Sequence, residues 1–263
     1  MNTEEIESRY RAALAVVRQA GERAADLYRR RHELDVERKG TQDLVSEADR
    51  ACEDMIVGAL HKLFPEDGFL GEERGLRNAG AKATWIIDPI DGTANFLRGI
   101  PFWCVSLGLL TARTFVIGVI YNPVTDELYA ARRGGGATLN GRKIEVGKVT
   151  ALADARLGLG FSYRRPVAVH AGAVKALLDA HCEYSRFGSG ALGLALTADG
   201  RLDGYWEAHI NVWDVAAGLC LVKEAGGRTN DFLGEDGLAR GNAVLASTPQ
   251  LYAPLAALLK TGS

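Results

Sequence analysis

Residues 85–96 read WIIDPIDGTANF. The apolar run Trp85-Ile86-Ile87 leads straight into two aspartates, Asp88 and Asp91, with Pro89 between them and Gly92-Thr93 behind. Such a run predicts a buried strand, and proline cannot continue a hydrogen-bond ladder, so Asp88 is expected at the strand's end and Asp91 in the following turn. Both carboxylates can then face one space. Two readings are open: Asp91 helps to cap a helix that Ala94 begins, or the pair belongs to a metal site beside a phosphate site.

Other acids bear on that choice. Glu72, in Gly71-Glu72-Glu73, follows Phe69-Leu70 at the mouth of an expected loop, and Asp214 opens an expected helix that runs through Glu224 to Gly226-Gly227. Taken singly, they read as a solvated loop acid and an N-cap. If Glu72, Asp88, Asp91 and Asp214 converge, they stay ionised together only with cations between them. An all-oxygen set without His or Cys suits magnesium, manganese or calcium rather than zinc.

The elements that must position these acids are legible in outline. Ile6, Tyr10, Leu14, Val17, Ala24 and Leu27 recur at helical spacing and predict an amphipathic helix over 3–31. Its basic exit, RRRHELDVERKG, reads as a solvated helix end. A second helix is expected from Ser46 until Pro65 stops it. Runs rich in β-branched and aromatic residues predict strands at 85–87, 103–110, 114–121 and 127–131, and Asn140-Gly141 marks a hairpin. Beyond 150, strand-like segments (155–161, 203–208, 243–247) alternate with helix-like ones (167–180, 190–199, 213–225). The expected fold class is α/β, an α+β layered sandwich, with one domain over 1–263 and possible halves 1–147 and 148–263.

Bulk properties narrow the function classes. A formal net charge of -2 argues against nucleic-acid steering or binding to an anionic membrane. The N-terminus, MNTEEIESRY, is polar and acidic, and no apolar run approaches bilayer length, so a cytoplasmic location is expected. Cys52, Cys104, Cys182 and Cys220 stand far apart without a C-x-x-C pair and are expected as buried free thiols.

Residues 85–96 resemble the first signature of the inositol monophosphatase family, and residues 213–227, WDVAAGLCLVKEAGG, resemble its second. Lys39 through Asp49 (KGTQDLVSEAD) and Gly71-Glu72-Glu73 match as well, so the resemblance covers almost the whole chain. It implies the layered fold shared with fructose-1,6-bisphosphatase, a lithium-sensitive phosphomonoesterase activity and a homodimer. It further implies that Glu72, Asp88, Asp91, Asp214 and the Ile90 carbonyl hold roughly two or three magnesium ions. Thr93 and Asp49 are implied to assist the attacking water, and Lys39 to lie near the phosphate or the waters bound to the metals. Gly92 and Thr93, at a helix start, can offer backbone N–H groups to phosphate oxygens. Ser46 to Asp49 also fits a capping box, in which Asp49 would serve only its own helix.

Competing signatures are weaker. Gly188 to Gly193 spells G-x-G-x-x-G, but no suitably spaced acid follows it, and the resemblance assigns Arg186 to Gly190, with Gly188 and Ser189, to the substrate pocket. No Cys precedes an Arg by six residues, no G-x-x-x-x-G-K-[ST] occurs, and His170 and His209 lack a recognisable Ser or Cys partner. Asp88 and Asp91 are three apart, unlike an aspartyl-phosphate D-x-D pair, which leaves a directly attacking water as the simplest nucleophile.

For the substrate, a small-molecule phosphate monoester, Glu207 matches the acid that receives a hydroxyl in inositol phosphatases. Asn211 departs from the His of several relatives. Thr93 to Phe96 looks more like the inositol-type Thr-x-Asn-Phe than the lysine-containing variant of nucleotide-directed relatives. The expected substrate is myo-inositol monophosphate or a similar polyol or sugar phosphate. Fructose bisphosphate, NADP, histidinol phosphate and 3'-phosphoadenosine phosphates are the alternatives, and a non-catalytic binding or regulatory module is the rival from another class.

Overall fold

The computed structural model of the chain describes the backbone of residues 1–34, 36–40 and 43–260, and the side chains of 1–34 and 47–260. Lys39 and Ser46 therefore keep only a backbone position. The long helix α1 (Thr3–Arg29) starts in a capping box between Asn2 and Glu5. It buries Ala13, Val17, Ala20 and Ala24, small residues that let α2 (Glu47–Leu63) approach closely. The basic exit from α1 is largely solvated, with Arg29, Arg30, His32 and Glu33 exposed, and half-buried Arg31 anchors it: Arg31 donates to the Tyr28 carbonyl at 3.1 Å, and its guanidinium lies 5.1 Å from the centre of the Tyr28 ring. An antiparallel pair, β1 (Val36–Gly40) and β2 (Asp43–Ser46), links the two helices.

Eight strands form the first sheet: β3 (Gly68–Gly71), β4 (Gly75–Arg77), β5 (Ala83–Asp91), β6 (Cys104–Thr111), β7 (Thr114–Asn122), β8 (Glu127–Arg132), β9 (Gly136–Leu139) and β10 (Arg142–Ile144). Their order is β10-β9-β8-β7-β6-β5-β3-β4, and the short helix α3 (Thr93–Arg98) follows β5. Asn140 and Gly141 join β9 to β10 with positive φ at both positions, as the Asn-Gly dipeptide favours. Phe69-Leu70, for which no strand is read in the sequence, lies within β3, which pairs parallel to β5, and Glu72 follows in the turn before β4, at the mouth of the expected loop.

The second sheet is built from β11 (Arg156–Leu159), β12 (Glu183–Ser185), β13 (Gly204–Ile210), β14 (Arg228–Thr229) and β15 (Asn242–Ser247), in the order β12-β11-β13-β15-β14. Between the sheets lie α5 (Gly190–Ala198) and α6 (Val212–Glu224), while α4 (Val167–Asp179) and α8 (Pro249–Leu258) pack on the outer side; α7 (Gly237–Arg240) is a single turn. The layers therefore run helix, sheet, helix, sheet, helix. Nearly all of α6 is apolar and buried, as a helix enclosed on both sides must be. Its closest approach is to Gly108 and Gly118, paired across β6 and β7: a Cβ on Gly118 would stand 2.2 Å from the Ala217 carbonyl oxygen. That approach sets the height of α6, and hence of Asp214 in its first turn, above the sheet.

Candidate active site

The two aspartates of β5 share a face because the strand is irregular. In a regular strand, residues three apart point to opposite sides. Here Trp85 and Ile87 pack toward α1 and α2, and Ile86 packs toward α6. Asp88 continues the Ile86 side. The strand does not end at Asp88, as Pro89 suggested, but runs to Asp91 with a register shift against β6 between the two acids. The shift brings Asp91 round to join Asp88. Asp214 enters from the first turn of α6, where its Oδ2 accepts from the Asn211 backbone N–H at 3.0 Å. One oxygen from each of Asp88, Asp91 and Asp214 lies within 4.8 Å of the others.

Asp91 does not cap α3, which begins at Thr93 behind Gly92 in the left-handed conformation. It serves a different helix. Its Oδ2 accepts from Ser189 Oγ at 2.5 Å and from the Ala191 backbone N–H at 2.6 Å, and its Oδ1 accepts from the Gly190 N–H at 3.3 Å. The start of α5 thus closes on a carboxylate, where the helix dipole favours negative charge. Residues 188–193, which resembled a dinucleotide loop, are this seat. Ser189, expected among the substrate contacts, spends its hydroxyl proton on Asp91, and its oxygen accepts from the Leu192 N–H at 3.2 Å.

Glu72 arrives through the parallel pairing of β3 with β5. Gly71 stands beside Ile87, and the Glu72 N–H donates to the Ile87 carbonyl at 3.2 Å, so Glu72 follows directly alongside Asp88. It lines the cavity but stands outside the three-aspartate cluster. A buried acid that sequence reasoning missed, Glu53 on α2, accepts from the N–H groups of Glu73 at 2.8 Å and Arg74 at 3.0 Å. Gly71 must be glycine to admit it, since a Cβ there would meet Glu53 Oε1 at 2.2 Å. One helical turn before Glu53 comes Asp49, also buried, whose Oδ1 lies 3.2 Å from Thr93 Oγ1. Thr93 Oγ1 is also 2.9 Å from the Ile90 carbonyl, and its single proton can serve one of these acceptors at a time.

Electrostatically the cluster is unfavourable by itself. Burial pushes Asp88 well above the usual carboxylate range, and the charges of Glu72, Asp91 and Asp214 push it further. Burial raises Asp91 too, opposed by its donors on Ser189 and the start of α5. Asp214 is raised by burial, then by Asp91 and Glu207. Hard cations would relieve all three, and the oxygen-only donor set suits them.

Glu72, Asp91 and Asp214 line a cavity of about 800 Å³ that also takes in Gly92, Thr93, Arg186, Gly188, Ser189 and Glu207, and Asp88 stands behind that lining against Asp91 and Asp214. Arg186 is exposed, with its guanidinium 5.9 Å from the centre of the Phe161 ring. Asn95 clips the two walls together, donating to the carbonyls of Phe102 at 2.7 Å and Phe187 at 2.8 Å. Glu207 is buried, accepts from the Tyr205 hydroxyl at 2.8 Å, and is pushed up to about 7 by burial against the opposing effect of that bond. Neither histidine reaches the acids as a base: His209 Nε2 pairs with the Arg240 carbonyl, and the His170 ring stands edge-on to Phe161. All four cysteines are buried and free, and the Cys104 thiol lies 3.9 Å from Asp91. The side chain of Lys39 lies outside the described residues.

A family model, the inositol monophosphatase family, matches residues 5–262. The chain belongs to that family. It is 42% identical over 231 residues, 86% of each chain, to an inositol-1-monophosphatase of Mesorhizobium japonicum. A protein of Xylella fastidiosa called Nus factor SuhB is 46% identical over 77% of this chain and 74% of its own. The crystal structure of extragenic suppressor protein suhB from Bartonella henselae superposes with a TM-score of 0.91 at 35% identity, over 97% of this chain and 100% of the other. The fold of the family's solved structures is thus this chain's layered α/β fold. Among the described residues, no helix is long and apolar enough to cross a membrane.

Proposed function

We propose that the protein is a magnesium-dependent phosphomonoesterase acting on myo-inositol monophosphate or a similar polyol or sugar phosphate. The observation that carries this reading is the cluster of buried Asp88 and Asp91 with half-buried Asp214 at the cavity, where three carboxylates raised by desolvation and by one another's charge call for divalent cations. With those acids, Glu72 and the Ile90 carbonyl complete the set that would hold the ions. Divalent ions bound there would acidify water, neutralise the phosphate and stabilise the departing oxygen.

The chain's own groups supply the rest. When Thr93, which lines the cavity, gives its proton to Asp49, its oxygen can accept a hydrogen from the attacking water. The N–H groups of Gly92 and Thr93 receive phosphate oxygens, with Lys39 nearby by family position. Arg186, Gly188 and Ser189 form the substrate wall, and Glu207 receives a substrate hydroxyl. A cytoplasmic homodimer with lithium-sensitive activity completes the reading.

The test is a phosphate-release screen across inositol, sugar, nucleotide and amino-alcohol phosphates with magnesium, run alongside Asp91→Asn. Release from a polyol phosphate, lost together with magnesium binding in Asp91→Asn, is expected; full activity in that variant would defeat the proposal. A second reading, a binding module without catalysis, draws on the relatives named Nus factor SuhB. It would leave every substrate in the screen untouched.

A further inference from the structure

Tyr205 is buried, and its ring sits in a slot walled by glycines from separate parts of the second half. A Cβ on Gly158, in β11, would come 2.8 Å from ring atom Cδ2, and one on Gly193, inside α5, would come 2.4 Å from the same atom. A Cβ on Gly160, just past β11, would stand 2.4 Å from the Tyr205 hydroxyl and 1.8 Å from Glu207 Oε2. None of these three glycines has a positive φ, so no turn or left-handed conformation requires them. Gly193 even lies within a helix, where glycine is a poor choice. What the three positions share is room for one phenol and one carboxylate.

The phenol is spent on that carboxylate. Its hydroxyl donates to Glu207 Oε2 at 2.8 Å, and both side chains line the cavity. A carboxylate with one oxygen held this way presents the other in a defined direction. The bond also favours the ionised, accepting form of a group that burial pushes up to about 7.

We infer that Tyr205 is a positioning residue for substrate choice: seated in the glycine slot, it holds Glu207 Oε2 and turns Oε1 toward a substrate hydroxyl, favouring polyol phosphates over esters lacking one there. The inference rests on the proposed phosphatase reading and on Glu207 as the hydroxyl acceptor.

Tyr205→Phe removes one oxygen and keeps the ring. The measurement is KM and kcat at saturating magnesium for myo-inositol 1-phosphate and for p-nitrophenyl phosphate, which has no hydroxyl to offer. Because both substrates are read on one preparation, the ratio of their kcat/KM values is independent of how much enzyme folds. The expected result is a fall of about tenfold in that ratio, through KM for the inositol ester, the size expected for a hydrogen bond to a charged group. Glu207→Gln should lower the ratio as well, and adding Tyr205→Phe to it should bring less than about a twofold further change, since the two act as one unit. An unchanged ratio, or equal losses on both substrates, overturns the inference while leaving the phosphatase reading intact. A wild-type enzyme silent on every phosphate ends that reading and the inference with it.

Discussion

Asp91 carries two obligations that its sequence neighbours do not reveal. It offers an oxygen to the acidic cluster, and it receives Ser189 and the first N–H groups of α5. Those donors hold the carboxylate in place without neutralising it, leaving its charge for a cation. Thr93 is simpler, because its hydroxyl has one proton to give, to Asp49 or to the Ile90 carbonyl. Thr93→Ala should lower phosphate release by about 10²–10⁴-fold, the range for a lost proton-handling group, with magnesium binding by calorimetry preserved. Loss of magnesium binding in that variant would mean that Thr93 shapes the metal site instead of the water.

Among the elements, β5 and α6 decide the geometry. The acid spacing of β5 becomes useful only through the register shift that the strand makes against β6. Helix α6 is held at the height of Asp88 by the Gly108–Gly118 pair, against which Ala216 and Ala217 rest. Gly118→Ala would force the helix off the sheet and should cost about 1–3 kcal/mol by urea unfolding, the usual range for overpacking a tight core. Because Asp214 rides on that helix, magnesium affinity should fall as well. A variant with unchanged stability and affinity would show that α6 is not seated by this contact. The helices and most central strands were legible because periodicity is local. The β3 strand was not, since an apolar run as short as Phe69-Leu70 has no period of its own and becomes a strand only beside its partner β5.

For the molecule as a whole, the metal-free protein carries charge that folding makes worse. Asp88, Asp91, Asp214 and Glu207 all hold their protons more tightly folded than unfolded. Between the ordinary carboxylate range and about 7 for Glu207, the folded state therefore binds more protons, and these groups' contribution to stability declines as pH rises through that window. Magnesium should reverse the penalty by taking the protons' place. Thermal melts should thus show a larger magnesium-induced rise in Tm at pH 8 than at pH 5.5, with stabilisation of about 2.7 kcal/mol at a hundredfold excess over Kd. A magnesium shift that is absent, or that shrinks with rising pH, would contradict the electrostatics of the site.

The amino-acid sequence by itself determined the donor types, the helices and hairpin that local spacing dictates, and the two signatures that point to the family. Those properties depend on residues a few positions apart, where backbone periodicity and turn chemistry act. Only the tertiary structure decided that β5 shifts register, that Asp91 closes the start of α5 some hundred residues later, that Glu53 anchors the turn bearing Glu72, and that three glycines make room for Tyr205 beside Glu207. Each of these is a close approach between segments distant in the chain. Such contacts are set by how layers pack, which no local pattern encodes.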